Sequence, residues 1–304
     1  MPALPLTALL LAGLSLPQGQ FDTDTTVTVS AGTRLSLQSL QGDVVIRVWD
    51  RSQVRIQASH SSRTRIEPRL SESVLRLEPR GSGMAGAWGG LVDYELTVPA
   101  AMALELQGMG GDVRIEGTRG EVSVNTIEGD ITVQGGGGTL TLATVNGAIR
   151  VTGARGRVEA RAVSDDVELT DVQGDVTAET VSGDLTLMKV DGRRVEAQTV
   201  SGDVRFDGAI RPDGSYSLLT HSGDITMAMP EGAGATIRTA VSHGGVTASF
   251  GLPEPERASR SRKTYRLGAG AATVELETFS GDITLVRPGS VKAPRSTRPE
   301  EELR

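Results

Sequence analysis

Residues 111–187 read GDVRIEGTRGEVSVNTIEGDITVQGGGGTLTLATVNGAIRVTGARGRVEARAVSDDVELTDVQGDVTAETVSGDLTL, and this run decides the fold. It divides without a slip into nine-residue units of one form: Gly, any residue, aliphatic, polar, aliphatic. The third position runs Val113, Val122, Ile131, Leu140, Ile149, Val158, Val167, Val176, Leu185. The fifth runs Ile115, Val124, Val133, Leu142, Val151, Ala160, Leu169, Ala178, Leu187. Between each pair lies a polar residue such as Arg114, Thr132 or Glu159, the alternation of a half-buried strand. Glycine opens every unit except the one at Asp165, so a turn recurs at a fixed offset. Fixed-period strand-turn units are the signature of a stacked repeat.

A second pattern occupies alternate units only. Thr126-Ile127-Glu128-Gly129-Asp130, Thr144-Val145-Asn146-Gly147-Ala148, Thr180-Val181-Ser182-Gly183-Asp184 and Thr199-Val200-Ser201-Gly202-Asp203 share one form that the intervening units lack. One coil is therefore two short strands and two dissimilar turns, about 18 to 21 residues long. The spacing predicts an all-β fold, a β-solenoid of the β-helix or β-roll kind. The pattern returns at Thr220, Val241 and Thr278, giving nine coil starts from Asp112 to Asp282 in sequence order. At ~4.8 Å per rung that is about 43 Å of stack.

Outside the strict register the chain divides into four parts. Residues 1–20 hold an uncharged run, Leu4 to Leu16, with the length of a signal-peptide core and too short to span a bilayer. Residues 21–107 keep strand periodicity without the register and read as an irregular β region, either early coils or a cap over an open strand edge. Residues 108–287 are the regular solenoid, and 288–304, rich in proline and charge, read as a disordered tail. Two loops interrupt this plan: Gly81 to Gly90, which carries Trp88, and Leu252 to Gly270, which carries Arg257, Arg260, Arg262, Lys263 and Arg266.

Composition removes several function classes. The 304-residue chain has no cysteine, which excludes disulfides, thiolate metal sites and thiol catalysis. A net charge of −7 and 3% aromatic residues give neither the basic face nor the stacking rings of a nucleic-acid binder. No cofactor motif is present. The candidate sites are columns made by the repeat. Asp112, Asp130, Asp166, Asp184 and Asp203 stack as a carboxylate ladder, which reads first as turn structure and second as a calcium ladder. Thr126, Thr144, Thr180, Thr199, Thr220 and Thr278 read as a stacked hydroxyl ladder at a strand end. His221 and His243 fall in consecutive coils and are expected near each other, without a third metal ligand. Trp88, Arg257, Arg260, Arg262 and Lys263 are candidate partner contacts, with a solvated charged loop as the plainer reading.

The Thr-x-Ser-Gly-Asp copies at 180–185, 199–204 and 278–283, with Gly42-Asp43-Val44 and Asp93-Tyr94-Glu95-Leu96-Thr97-Val98-Pro99, resemble the bacterial putative-adhesin family, a domain of unknown function. The resemblance covers about Val27 to Val286. It implies a β-solenoid outside the cytoplasm and no known enzymatic activity. The expectation is an exported, non-catalytic, adhesin-like envelope or surface module that binds a polymer, surface glycan or protein over an extended face, in the periplasm, on the cell surface or secreted. An envelope structural or signalling part acting through its loops is the alternative. A carbohydrate-active enzyme ranks behind both, because glycoside cleavage needs two carboxylates across one cleft and the repeat spreads them evenly.

Overall fold

A strand of four residues with two buried side chains is not stable alone, so the units must stack to share a core. The computed structural model describes residues 22–81, 90–230 and 232–291. The first strands are β1 (Thr23–Thr28), β2 (Arg34–Gln41), β3 (Val44–Trp49), β4 (Gln53–His60), β5 (Thr64–Ser71), β6 (Val74–Gly81), β7 (Val92–Pro99) and β8 (Ala103–Gly110). The regular run follows as β9 (Val113–Glu116), β10 (Val122–Asn125), β11 (Ile131–Gln134), β12 (Leu140–Ala143), β13 (Ile149–Thr152), β14 (Val158–Arg161), β15 (Val167–Thr170), β16 (Val176–Glu179) and β17 (Leu185–Val190). Longer strands then appear: β18 (Arg194–Ser201), β19 (Val204–Gly208), β20 (Ser215–Ser222), β21 (Ile225–Ala228) and β22 (Ala235–His243). The last are β23 (Val246–Ala248), β24 (Arg257–Ala258), β25 (Arg262–Leu267), β26 (Ala272–Ser280) and β27 (Ile283–Val286). Among the described residues no helix is long and apolar enough to cross a membrane.

Successive units enter opposite sheets, one of 13 strands and one of 14. In the first, Val113, Ile131, Ile149, Val167 and Leu185 are parallel neighbours in register, each eighteen residues from the last. In the second, Val122, Leu140, Val158 and Val176 repeat the same step. The eighteen-residue coil is thus the structural unit. All eighteen aliphatic positions of the register point between the sheets and are at most 6% exposed. Where the wall on the 14-strand side thins to Ala160, Ala178 and Ala197, the larger rings of Phe206 and Tyr216 follow, edge to face at 5.7 Å. Tyr216 meets its polar need there: its hydroxyl donates toward the Gly192 and Ala209 carbonyls and accepts from the Arg211 N–H.

Among the described residues eleven parallel strands run consecutively in each sheet, two more than the nine coil starts in the register. The extra rungs come from β2 with β3 and from β6 with β7, so part of the region 21–107 continues the stack. Antiparallel strands then close it. β4 and β1 end the first sheet, and β5 ends the second. At the far end the expected order is overturned. β26 and β27 insert next to β20 and β21, and the earlier-synthesised β22 and β23 lie outside them.

The sequence reading of Leu252 to Gly270 as a loop is corrected here as well. Arg262–Leu267 is a strand, antiparallel to β22, and Arg257–Ala258 pairs in turn with it. Charged side chains on a closing strand discourage a further strand from adding to the edge. At the other end, Pro288 to Val291 still touches the stack: the Gly289 N–H donates to Asp207 at 2.8 Å and Val291 is 7% exposed.

Candidate functional site

Most turns before the strands of the first sheet are held by an aspartate. The Asp130 N–H donates to Asp112 Oδ1 at 2.8 Å, Ala148 N–H to Asp130 at 2.9 Å, Asp184 to Asp166 at 2.7 Å and Asp203 to Asp184 at 2.8 Å. Asp203 accepts from Asp224 at 2.9 Å, so all five residues of the expected ladder hold a backbone N–H of the next rung. The ladder follows the observed rung order, through Asp282 and on to Gly245, and begins at Asp93 and Asp43. Magnitudes favour it. Two carboxylates ~4.8 Å apart repel by about 0.9 kcal/mol in water, whereas a hydrogen bond to a charged group contributes about 1.5–3 kcal/mol.

Several second oxygens are also engaged. Arg150 reaches Asp130 at 3.0 Å, and Arg205 bridges Asp184 and Asp203, at 2.6 Å to each. No group of three potential metal-ligating side chains occurs among the described residues. Ala148 supplies no carboxylate to the rung above it, so the ladder restarts at Asp166.

The threonines differ from the expected hydroxyl ladder. Each is at most 7% exposed and donates to a turn carbonyl: Thr180 to Asp165, Thr199 to Gly183, Thr220 to Gly202 and Thr278 to Gly223, at 2.9 to 3.1 Å. Buried and bonded to the backbone, they cannot form a polar face for a ligand. They instead satisfy carbonyls that the turn would otherwise bury unpaired.

The two turn edges have opposite polarity. At one, Ala154, Val172 and Val190 are buried and Arg155, Gln173 and Asp191 lie outside. At the threonine edge the polar hydroxyl is inside and the next residue, aliphatic, is outside. Met109, Ile127, Val145, Val163, Val181, Val200 and Phe279 are 40 to 47% exposed and occupy one column. This column was legible as the variable position of the Thr-x-Ser-Gly-Asp motif, aliphatic in copy after copy, but a period-two reading of strands passes over a turn.

At the column's end the histidines are not neighbours. Because β26 inserts between β20 and β22, the Phe279 ring lies between them, stacked on His221 at 4.8 Å and edge-on to His243 at 5.2 Å.

The outer face of the 14-strand sheet carries three shallow depressions. One of about 370 Å³ is lined by residues including Arg34, Glu105, Glu121, Ser123 and Thr141. A second, about 320 Å³, includes Thr177, Glu179, Glu196, Gln198, Ser217 and Glu275. The third, about 260 Å³, joins Arg238, Glu275 and Glu277 to Arg262 and Lys263 of the closing strand. Two of the candidate partner contacts thus line a depression on the broad face. Arg257 lies on the outermost strand and Arg260 in the turn between the two closing strands, while Trp88 lies outside the described residues.

No curated protein matches the chain. Two solved structures are similar at low identity. A putative cell adhesion protein from Clostridium sporogenes is 10% identical, covering 87% of this chain and 99% of that chain, with a TM-score of 0.21. A putative adhesin from Bacteroides fragilis is 13% identical, covering 88% of this chain and 98% of that one, with a TM-score of 0.36. The Toastrack DUF4097 family model matches residues 14–208 and 157–286, spanning the stack from end to end; the chain belongs to that family.

Proposed function

We propose that this protein is a non-catalytic, adhesin-like module of the cell envelope or surface that holds a hydroxyl-rich polymer, such as a surface glycan, along the outer face of its 14-strand sheet. The observation that carries this reading is the row of three depressions on one continuous face, each lined by hydroxyls and carboxylates. A polymer with repeating hydroxyls meets such a face with many modest hydrogen bonds, each contributing about 0.5–1.5 kcal/mol. The spread of carboxylates along the whole face, with ion pairs such as Arg161–Glu179 at 3.0 Å tying some down, supports binding over cleavage. Export, supported by the apolar run Leu4 to Leu16, puts the chain where such polymers occur.

The test is retention of the purified protein on immobilised envelope and surface polysaccharides, with the same polymers assayed for reducing ends or unsaturated products. Retention without product is the expected result. Product release would replace this reading with an enzymatic one, and no retention on any polymer would remove it.

A further inference from the structure

The exposed aliphatic column at the threonine edge has no role in the reading above. Burial chemistry makes it anomalous: on most rungs of this edge the chain turns a threonine hydroxyl inward and a hydrocarbon side chain outward. Isolated exposed aliphatics are ordinary, but a contiguous apolar strip on a soluble surface marks an interface. The strip is also rigid. The Asn146 N–H donates to the Ile127 carbonyl at 2.8 Å, Ser164 to Val145 at 3.1 Å, Ser182 to Val163 at 2.8 Å and Ser201 to Val181 at 2.8 Å, so the repeat of the stack sets the side-chain spacing.

We propose that the occupant of this edge is a second copy of the chain, docked antiparallel about a two-fold axis between the rungs of Val163 and Val181. Three observations select it. First, the column runs through Met109, Ile127, Val145, Val163, Val181, Val200, His221 and Phe279, and a uniform repeat of this length is matched in spacing by another copy of itself. Second, charge is complementary at the centre. Arg161 and Glu179 flank the column two residues before Val163 and Val181; they are register partners on adjacent rungs already paired with each other at 3.0 Å, so a two-fold would close them into a four-charge cluster of alternating sign. The antiparallel two-fold sets Arg161 opposite the partner's Glu179 and Glu179 opposite the partner's Arg161. It also brings Met109 to the partner's Phe279, a favourable sulfur–aromatic contact. A parallel pair, with its two-fold along the stack, would set the Arg161 side of one copy against the serine side of the other and gain no ion pair. Third, the size fits a weak dimer. The strip is roughly 40 Å long and about 10 Å across, the spacing of packed sheets, and with its flanking polar residues it suits a small, weak interface below the ~800 Å² per partner of the standard class.

The experiment uses the absence of native cysteine. Met109→Cys and Phe279→Cys proteins are prepared separately, then treated alone and as an equimolar mixture with a short bis-maleimide. The expected result is covalent dimer in the mixture and little in either protein alone. Cross-linking of each protein with itself would show a parallel pair and overturn the geometry. Sedimentation of the unmodified protein is expected to show a dimer that dissociates in the micromolar range, and a monomer throughout that range overturns the proposal. A monomer that floats with phosphatidylcholine vesicles would assign the strip to a membrane instead. In Val163→Lys with Val181→Lys, the dimer dissociation constant is expected to rise about 100-fold or more, since the lysines would be desolvated at the contact. A normal melting curve checks that this variant folds; unchanged dimerisation in the folded variant contradicts the proposal.

Discussion

Gly223 shows how little room one rung leaves for the next. Its φ is +153°, and a Cβ built there would strike the carbonyl oxygen of Gly202 on the neighbouring rung. Gly223→Ala must push two hydrogen-bonded turns apart, so denaturant unfolding is expected to show a loss of about 2–4 kcal/mol. The opposite turn gives the reverse case. Gly117, Gly135 and Gly153 hold one left-handed position in successive coils, at φ of 75 to 84°, and Asp171 and Lys189 hold it next, each at φ 54°. An L side chain costs about 1–2 kcal/mol there, partly offset by the entropy glycine loses on folding. Exposed Lys189→Gly is therefore expected to stabilise the protein by about 0.5 kcal/mol, visible as a higher denaturant midpoint at unchanged slope. For the aspartate column, with Oδ1 of Asp112, Asp130, Asp166, Asp184 and Asp203 already accepting backbone N–H bonds, thermal melts in calcium and in chelator are expected to coincide. A large calcium-dependent rise would restore the calcium ladder. At this scale the sequence showed which residue types recur, but the inward turn of Thr180 and outward turn of Val181 depend on carbonyls one rung away.

Strands that obey the period were legible, and those that close the stack were not. Val44–Trp49 shows its strand in the sequence by apolar alternation, whereas Pro68 and the arginines of β5 do not look like a strand. Proline is tolerated there because β5 is an edge, where a missing N–H leaves no ladder bond unmade. β25 was hidden in the same way by Arg262, Lys263 and Arg266. The exchange of rung order between β22 and β26 leaves no mark on local periodicity, since both carry the same motif. At the other edge, β1 is fastened to β4 by Arg55, which grips Asp24 with bonds of 3.0 and 2.7 Å. The Arg55 guanidinium holds the Asp24 carboxyl below its ordinary range. A depressed carboxyl contributes stability above its unfolded-state value, near 4, and loses it as pH falls through the lower folded value. The amide-exchange protection factors of Asp24 to Thr28 are accordingly expected to fall on acidification before those of β11 or β13. Equal protection of these strands through the acid range would contradict this.

Viewed whole, the molecule is an eleven-rung parallel stack with antiparallel strands at both ends, a broad polar face on one sheet and an apolar edge beside it. The register in residues 111–187 made the architecture legible because every coil repeats the same burial. The candidate site was far less so: depressions on an outer face arise from side chains on rungs eighteen or more residues apart, and the closing strand that completes one of them was read as a loop. In such a stack each rung contacts only its neighbours, so binding along the face is a sum of local terms. Glu105→Ala, Glu196→Ala and Glu277→Ala lie in different depressions, and each is expected to weaken polymer retention by a few-fold, with losses that multiply in the triple variant. The most direct test is to measure the affinity of the unmodified and variant proteins for whichever surface polysaccharide retains the protein. Graded, multiplying losses are predicted; loss of all binding from one substitution, or no effect from the triple variant, would contradict the extended-face account.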